Sequence, residues 1–485
     1  MSSSTHFVDP ASFQHQSDEF THWLASRPGI RISSKIHVAD LRSIDAGRGV
    51  VARSDIPEGE ELFAIPRDLV LTPQNSKLKD SISEDLEELG PWLSLILVMI
   101  HEYLLGQQST WAPYFKVLPR EFDTLMFWTS SELQELQGSA IVEKIGKQDA
   151  EESILEMIAP LVRANPSLFP PIDGLQSYEG DAGARALLGL AHMMGSLIMA
   201  YAFDIEQTED EDGEGDDESG YMTDEEEQLP KGMVPLADLL NADADRNNAR
   251  FFQEEDSLVM KVVKPIGAGD EIFNDYGEIP RAELLRRYGY VTDNYAPYDV
   301  VELSLGEICQ AAGLENDDAE SQPPLQFLED LELLDDGYAI PRPSNEDPLS
   351  DILPDELVLL LKTLAMSPQQ LEQQKSKSKP PKPSFGQAEA TILQKAAQLK
   401  QSQYGTSISQ DQEYLANFSQ SGAVEGSRRR QKMAIQVRIG EKEILHSLSG
   451  MLHSSANRDG DDGSAAKRNA NGDGRESRKT KAQKT

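Results

Sequence analysis

The chain carries one pattern twice, as Ile56-Pro-Glu-Gly59-Glu-Glu61-Leu-Phe63 and again as Ile266-Gly-Ala-Gly269-Asp-Glu271-Ile-Phe273. Each copy reads as a strand, a turn that contains glycine, and a second strand. Glycine suits such turns because it readily adopts the positive φ that hairpins require. A long helical region separates the two copies. The repeat therefore predicts that the β segments on both sides of this region belong to one β domain, which an insertion splits.

The rest of the chain alternates between β-like and helical regions, which predicts an α+β fold. Short segments punctuated by Gly and Pro occupy residues 30–71 and 232–291, whereas apolar residues spaced three and four apart mark the helical regions. The predicted domains are a β-rich half at 18–75, a helical insertion at 76–205, a disordered acidic loop at 206–231, a second β-rich half at 232–291, an all-α domain at 295–448 with a flexible insertion at 367–384, and a disordered tail at 449–485. A short amphipathic helix is expected at residues 17–25.

Two apolar stretches, at residues 92–105 and 187–203, are candidates for membrane helices. Both are shorter than the ~20 residues that a spanning helix needs, and each contains a histidine. They are therefore predicted to be buried helices, and no contact with a membrane is expected. The start of the chain lacks a basic segment followed by an apolar run, so no secretory signal is predicted.

The charge of the chain favours a basic partner. Its 485 residues include 83 acidic and 45 basic side chains, which gives a net charge of −38. Such a field repels nucleic acid and anionic membranes, and it attracts basic proteins over about one Debye length, ~8 Å at physiological salt. The alternative interpretation is that the charge only keeps the protein soluble.

The cysteine content limits the chemistry further. Cys309 is the only cysteine, which excludes an intramolecular disulfide and a cysteine-based zinc cluster. The chain is therefore expected to work in a reducing compartment and without a metal.

Three clusters of residues are candidates for a functional site. The first is Ala46-Gly47-Arg48-Gly49, where glycines beside a bend let backbone groups approach a ligand closely; alone it also fits a plain turn. It lacks the spacing of a dinucleotide-binding motif. The second is Asn241, which follows an apolar segment and offers both donors and acceptors; alone it also fits a helix cap. The third is the pair Tyr276 and Tyr288, whose rings would line one pocket but alone also fit core tyrosines.

Together, the order and content of these clusters resemble the SET-domain protein methyltransferases, and among them the subgroup typified by Rubisco large-subunit methyltransferase. In that subgroup a helical insertion splits the β-rich SET domain, which contains a pseudoknot, and a helical substrate-binding domain follows. A further family-like segment is Trp111-Ala-Pro-Tyr-Phe-Lys-Val-Leu-Pro119. The resemblance covers residues 18–448. The chain looks similar to the fungal ribosomal-protein lysine methyltransferases and to animal relatives that modify nuclear proteins.

The resemblance implies a protein-lysine N-methyltransferase whose methyl donor is S-adenosyl-L-methionine. By the family pattern, Gly47, Arg48 and Gly49 contact the methionine part of this cofactor through their backbone. Asn241 then lies in the pseudoknot strand, close to the cofactor.

The resemblance also assigns three tyrosines to the site. Tyr276 matches the active-site tyrosine, which orients the amine or the methyl group rather than acting as a strong base. Tyr288 matches an aromatic residue that packs near cofactor and lysine. Tyr201 falls where relatives place a residue that faces cofactor or substrate.

The sequence departs from the family at Ala242, because most members carry histidine after this asparagine. Two alternatives to a lysine methyltransferase therefore stay open. One is a SET-like protein that has lost catalysis and binds a partner through its C-terminal helical domain. The other is methylation of a different side chain, such as histidine.

The resemblance implies a basic protein substrate, either a large-subunit ribosomal protein or another nuclear protein. No direct contact with nucleic acid is expected, and a monomer is predicted. The basic run Arg428-Arg-Arg-Gln-Lys432 and the basic tail indicate the nucleus, with the cytoplasm as a second location. Such runs are also common on solvated surfaces.

Overall fold

The computed structural model describes residues 12–44, 46–206, 229–314, 322–344, 348–419 and 426–465. By internal contacts the chain divides into two units, each with its own hydrophobic core. The first unit consists of residues 1–136, 141–299 and 421–437. The second consists of residues 137–140, 300–420 and 438–485.

The strands of the first unit are β1 (Arg31–Ile32), β2 (Ile36–Asp40), β3 (Arg48–Ala52), β4 (Glu61–Pro66), β5 (Ala202–Asp204), β6 (Lys231–Met233), β7 (Ala249–Gln253), β8 (Ser257–Val262) and β9 (Glu271–Ile272). Its helices are α1 (Phe13–Ala25), α2 (Lys79–Glu88), α3 (Gly90–Leu105), α4 (Ala112–Val117), α5 (Ser130–Leu133), α6 (Lys147–Ser153), α7 (Ala159–Ala164), α8 (Gly180–Tyr201) and α9 (Arg281–Tyr288). One π turn, Ile154–Ile158, joins α6 to α7. Several 3-10 turns complete the unit, among them Ala237–Leu239 and Asp293–Tyr298.

The second unit contains strands β10 (Val300–Ser304) and β11 (Gly337–Pro341), and helices α10 (Leu305–Ala312), α11 (Pro323–Glu329), α12 (Leu349–Ile352), α13 (Asp355–Leu364), α14 (Pro368–Lys375), α15 (Gln387–Ser402) and α16 (Ile408–Ser419). The last helix, α17 (Ser427–Ala465), has residues in both units.

One β domain is built from strands on both sides of the helical insertion. An antiparallel sheet has the order β1-β4-β8-β7, and a second sheet has the order β2-β3-β9. The two copies of the repeated sequence pattern pair with each other, because the amides and carbonyls of Ile56 and Ile266 exchange two hydrogen bonds of 2.9 Å. Gly59 and Gly269 both have positive φ, +82° and +90°. The prediction of one split β domain is confirmed.

The insertion buries its two apolar stretches as helices, as predicted. In α3, every residue of the run 94–102 is buried, so this helix is buried on all sides where it passes through the core. Helix α8 packs against α3 and buries one face, which includes Leu187, Met194 and Leu197. By length and composition α8 is also the one described helix that resembles a membrane span. Of its apolar 18-residue stretch, 44% is buried inside the protein.

Two distant segments of the β domain run side by side where the pseudoknot was predicted. Ala242 forms a parallel bridge with Asn274, and the Asn274 amide donates to the Asn241 carbonyl over 2.8 Å. The side chain of Asn248 fixes the same segment, because it accepts a bond from the Phe273 amide (2.9 Å) and donates to the Glu271 carbonyl (3.0 Å). At this crossing the side-chain amide of Asn248 thus makes hydrogen bonds that backbone groups make in a regular sheet.

The second unit is not all-α, which corrects the prediction for residues 295–448. Strands β10 and β11 pair antiparallel along five residues each. Val301 and Leu303 of β10 are buried together with Tyr338 and Ile340 of β11, which is the alternating pattern of a half-buried strand. The overall α+β class is unaffected.

Three other predicted boundaries are also wrong. The segment 367–384 contains helix α14, which begins with a capping box between Ser367 and Gln370 and buries Leu371. Helix α17 continues through residues 449–465, part of the predicted tail, and the rest of that tail lies outside the described residues. Helix α1 begins at residue 13 rather than 17. Most of the predicted acidic loop, residues 207–228, also lies outside the described residues.

A buried cluster of charges stabilises the second unit. Asp411, which is fully buried, accepts hydrogen bonds from Lys442 (2.5 Å), Thr406 (2.8 Å) and Arg438 (2.9 Å). Burial opposes the charged form of this carboxyl, but the bonds from Arg438 and Lys442 outweigh it and lower the pKa of Asp411. The stabilisation is therefore present at neutral pH and is lost as the pH falls through this lowered pKa.

We expect Asp411→Asn to destabilise the second unit by about 3–5 kcal/mol, because it removes the carboxylate that accepts bonds from two buried cations. Urea unfolding followed by circular dichroism measures the change. Glu413→Gln is the matched control, since Glu413 lies exposed on the same helix, and it should change the free energy of unfolding by less than about 0.5 kcal/mol. Equal stability of the two variants would contradict the proposed role of the cluster.

Candidate active site

Two glycines, one just before β3 and one within it, shape the bend that leads into this strand. Gly47 has φ +63°, and its carbonyl accepts a bond from the Leu41 amide over 2.8 Å. A Cβ on Gly47 would meet nothing within 4 Å, so this side of the bend has open space beside it. Gly49 is the opposite case. A Cβ there would lie 2.5 Å from Leu41 Cδ1 and 2.6 Å from Glu271 Oε1, so only glycine fits without displacing these neighbours.

Asn241 holds this bend in place. Its Nδ2 donates to the carbonyls of Ala46 (3.2 Å) and Arg48 (3.1 Å) and to Glu271 Oε1 (2.7 Å). Burial raises the pKa of Glu271, and the bond from Asn241 opposes that rise. The side-chain nitrogen thus donates only to protein acceptors. The side-chain oxygen of Asn241, Oδ1, can accept a bond from an ammonium group.

The side chain of Arg48 does not point to the bend but to helix α1. Its guanidinium lies over the ring of Phe13 at 3.7 Å and donates to Ser17 Oγ (3.0 Å) and to the Val117 carbonyl (3.1 Å). Burial lowers the pKa of Arg48 to about 10. The side chain of Arg48 is therefore directed away from the bend, and only its backbone faces a ligand there; the contact with the cofactor stays a prediction.

Tyr276 and Tyr288 are brought together as predicted. Their rings stack with centroids 4.1 Å apart and an angle of 11° between the planes. Tyr288 ends α9, and Gly289 follows it in the left-handed conformation. Both rings are only partly buried, so part of each faces open space.

Three further tyrosines surround this stack, and we call the five residues the tyrosine cluster: Tyr201, Tyr276, Tyr288, Tyr290 and Tyr295. Burial raises the pKa of Tyr276 well above the ordinary value, and the neighbouring phenols raise it further. Burial also raises the pKa of Tyr201 and of Tyr288 to about 12. These hydroxyls therefore stay protonated at neutral pH, as hydrogen-bonding groups rather than bases.

The bend and the tyrosine cluster meet at the crossing of the two segments. Asn274, bonded to the Asn241 carbonyl, lies two residues before Tyr276 in the chain. All the predicted site residues thus belong to two adjoining groups in the first unit. The first comprises Gly47, Arg48, Gly49 and Asn241; the second comprises Tyr201, Tyr276 and Tyr288.

Sequence reasoning missed several residues of this region. Tyr290 and Tyr295 join the tyrosine cluster. Asp238, three residues before Asn241, is buried and accepts a hydrogen bond from the Tyr114 hydroxyl. A signal existed for Asp238, since it is a charged residue within an apolar run, and for Tyr114, which lies in the family-like segment 111–119.

The geometry fits a cofactor that carries both an ammonium group and a cationic sulfur. The open side of Gly47, the fixed carbonyls of the bend and the Asn241 oxygen would hold its methionine part. Protonated phenols next to them supply oxygens and aromatic faces for a cation. Within the described ranges, no group of three or more His, Cys, Asp or Glu side chains has the arrangement of a metal site.

Comparison with known proteins identifies two domains and several relatives. The SET domain model matches residues 47–277, and the Rubisco LSMT substrate-binding model matches residues 315–445. Ribosomal lysine N-methyltransferase 4 of Saccharomyces cerevisiae is 37% identical over 309 residues, which cover 62% of this chain and 60% of that protein. N-lysine methyltransferase setd6 of Xenopus laevis is 27% identical over 456 residues, which cover 88% of this chain and 93% of that protein.

Solved structures show the same fold. The structure of Rubisco LSMT bound to AdoMet superposes with a TM-score of 0.66 at 22% identity, and it covers 91% of this chain and 92% of that one. The SET domain of LSMT bound to lysine and AdoHcy gives a TM-score of 0.68 at 21% identity.

The fold and the family models together define a SET-domain methyltransferase. The chain belongs to the split-SET, Rubisco large-subunit methyltransferase-like class of protein-lysine methyltransferases, in which a substrate-binding domain follows the SET domain. The predicted class, the predicted enzyme activity and the predicted cofactor S-adenosyl-L-methionine are confirmed. The contacts of individual residues with this cofactor stay predictions.

We expect Gly49→Ala to weaken binding of S-adenosylmethionine at least tenfold, about 1.4 kcal/mol. The added Cβ would push Glu271 and Leu41 away and so disturb the bonds that Asn241 makes to the bend. Isothermal titration calorimetry measures the affinity. Gly189→Ala is the control, because a Cβ at this position on helix α8 meets nothing within 4 Å. Unchanged affinity in the Gly49 variant would remove this bend from the cofactor site.

Proposed function

We propose that this methyltransferase modifies a lysine on a large-subunit ribosomal protein or on another basic nuclear protein. The observation that carries the proposal is the tyrosine cluster, which adjoins the Asn241-held bend and offers hydroxyls and aromatic faces to a lysine side chain. We further propose that it works as a monomer in the nucleus, with the cytoplasm as a second location, and without direct contact with nucleic acid.

The main contribution of the protein to methyl transfer is to align the two reacting groups. S-adenosylmethionine supplies a methyl group on a sulfonium, which is already activated for transfer. The protein must hold a neutral amine in line with that methyl group, and such positioning is worth about 7–11 kcal/mol. A lysine has a reference pKa of ~10.4, so it has to lose a proton before it attacks. Enclosure beside a cation favours this loss because it disfavours the ammonium form.

Tyr276 has the character of an orienting group in this scheme. Its pKa is raised by burial and by the surrounding phenols, so the hydroxyl keeps its proton at neutral pH. It therefore donates to or accepts from the amine without removing a proton itself. The stack with Tyr288 fixes the ring plane and hence the direction of the hydroxyl.

Two observations support a basic protein as substrate. The net charge of −38 attracts a basic surface and repels nucleic acid. The yeast relative is named a ribosomal lysine N-methyltransferase, and the animal relatives are named N-lysine methyltransferases. The departure at Ala242 leaves the crossing intact, because this residue pairs with Asn274 through its backbone. We therefore favour an active enzyme over a partner-binding scaffold.

We expect Tyr276→Phe to lower methyl transfer about 100-fold, comparable with the loss of one positioned hydrogen-bonding group. Purified protein is incubated with methyl-labelled S-adenosylmethionine and a fraction of large-subunit ribosomal proteins. The label in each protein band is then measured after electrophoresis. Tyr414→Phe is the control, since Tyr414 is 52% exposed in the second unit. Wild-type turnover in the Tyr276 variant would remove this residue from the active site.

The same incubation separates the competing functions. One labelled band that yields methyllysine on hydrolysis supports the proposal, whereas methylhistidine would establish the histidine alternative. Absence of label together with absence of cofactor binding would favour the scaffold.

We also expect the apparent KM for the basic protein to rise severalfold between low and high salt, with kcat nearly unchanged, because screening weakens long-range attraction rather than the aligned complex. Initial rates at increasing sodium chloride measure this. A short peptide with the same lysine and neutral flanks is the control, and its KM should hardly change. An equal salt effect on both substrates would argue against charge-guided recognition.

A further inference from the structure

The ring of Phe13, the first residue of helix α1, contacts both ends of the loop that carries the bend. This loop joins β2 to β3, with Arg42 near its start and Arg48 at its end. The guanidinium carbon of Arg48 lies 3.7 Å from the centroid of the Phe13 ring, and that of Arg42 lies 3.9 Å from it. The face of an aromatic ring attracts such cations, and more strongly where water is excluded. Phe13 is only 6% exposed, so one shielded ring holds both ends of the loop.

The guanidinium of Arg48 is held against the first turn of α1 by several further contacts. It donates to Ser17 Oγ (3.0 Å), to the Phe13 carbonyl (3.4 Å) and to Gln16 Oε1 (3.4 Å). Two effects oppose a cation here. The N-terminal end of a helix carries partial positive charge, and burial lowers the pKa of Arg48 to about 10. The protein offsets both costs with contacts that fix one side chain, so the benefit lies in where Arg48 is placed.

The backbone of Arg48 belongs to the bend itself. Its carbonyl accepts a bond from Asn241 Nδ2 over 3.1 Å. The residues that close the loop with a 2.8 Å bond, Leu41 and Gly47, directly precede Arg42 and Arg48 in the chain. A side chain fixed at its guanidinium restricts the backbone to which it is attached. A continuous path of contacts therefore runs from the Phe13 ring through Arg48 to the bend.

We propose that Phe13 is a positioning residue for S-adenosylmethionine. Its ring holds Arg42 and Arg48 and so sets the backbone carbonyls of the bend, where the methionine part of the cofactor is predicted to bind. Phe13 acts through Arg48 and does not touch the cofactor itself. The inference rests on the predicted contact between bend and cofactor, and it is independent of the proposed protein substrate. It makes helix α1 a determinant of cofactor affinity.

Isothermal titration of the full-length protein with S-adenosylmethionine provides the first test. We expect Phe13→Leu to weaken binding about tenfold, because leucine keeps the apolar contact but offers no aromatic face to the two arginines. Phe13→Tyr keeps the ring and should bind within about twofold of the wild type. Phe252→Leu is the matched control, since Lys261 lies over the Phe252 ring at 5.4 Å in strand β7, and its affinity should stay unchanged. Wild-type affinity in Phe13→Leu would overturn the proposal.

A second variant on the same helix separates positioning from a general loss of stability. Phe20 is fully buried in α1, and its ring contacts Trp23 and Tyr114. We expect Phe20→Leu to lower the melting temperature, measured by circular dichroism, at least as much as Phe13→Leu does, because it leaves unfilled space in the core. Its affinity for S-adenosylmethionine should nevertheless stay that of the wild type. An equal loss of affinity in both variants would overturn the proposal, because α1 would then act only through stability.

A double-mutant cycle tests the path through Arg48. Arg48→Met removes the guanidinium but keeps a long side chain and the backbone of the bend. If Phe13 acts through Arg48, Phe13→Leu should weaken binding by no more than about twofold in the Arg48→Met protein. Additive effects of the two changes would overturn the proposal.

The Gly49→Ala variant distinguishes this proposal from the assignment of the cofactor site. Weaker binding in Gly49→Ala with normal binding in Phe13→Leu would refute the role of Phe13 alone. Normal binding in both variants would refute the bend as the cofactor site and the role of Phe13 with it. Weaker binding in both, with the non-additive cycle, is the result that we expect.

Discussion

The side-chain amide of Asn241 is the contact on which the site depends. One nitrogen binds two carbonyls of the bend at residues 46–48 and the carboxylate of Glu271 in β9, so it joins three segments from different parts of the chain. Each bond is worth only about 1 kcal/mol in isolation. Together, however, these bonds fix the geometry of the site. They link the bend, the segment around Asn241 and strand β9, so these three segments must be positioned together.

The tight packing around Gly49 follows from the same contact. Glu271 can reach Asn241 because no side chain stands between the bend and β9. On the other side of the bend, Arg48 turns its guanidinium towards α1, where Phe13 and Ser17 receive it. The bend is thus fixed from both sides by packing within the first unit, and its carbonyls are held in place before any ligand binds.

Much of the fold was predictable because its signals are local. The repeated Gly-containing pattern around Gly59 and Gly269 reveals two hairpins that pair with each other, and apolar periodicity locates α3 and α8. The strand β10 was missed because a five-residue strand between helices leaves only two buried positions to recognise. Helix α14 was missed because its Gln- and Lys-rich composition hides a capping box.

The site was predictable only in part. Motifs such as Asn241 and Tyr276 are visible in one sequence because their resemblance to a family fixes them. The bond between Tyr114 and Asp238 joins residues 124 positions apart, and no local pattern marks one as the partner of the other. The gathering of Tyr290 and Tyr295 around Tyr276 likewise arises from tertiary packing, which composition and periodicity do not encode.

The crossing at Asn241 also sets the order in which the protein can become functional during synthesis. The bend is made early, but the asparagine that holds it follows 193 residues after Arg48, and β9 comes later still. At about 5–20 residues per second the bend waits on the order of ten seconds or more for its partners. Contacts of such long range form late in folding, because the entropy of closing the loop must be overcome first. A nascent chain that stops within the helical insertion therefore contains half of a β domain, and its bend lacks the asparagine and the strand that hold it.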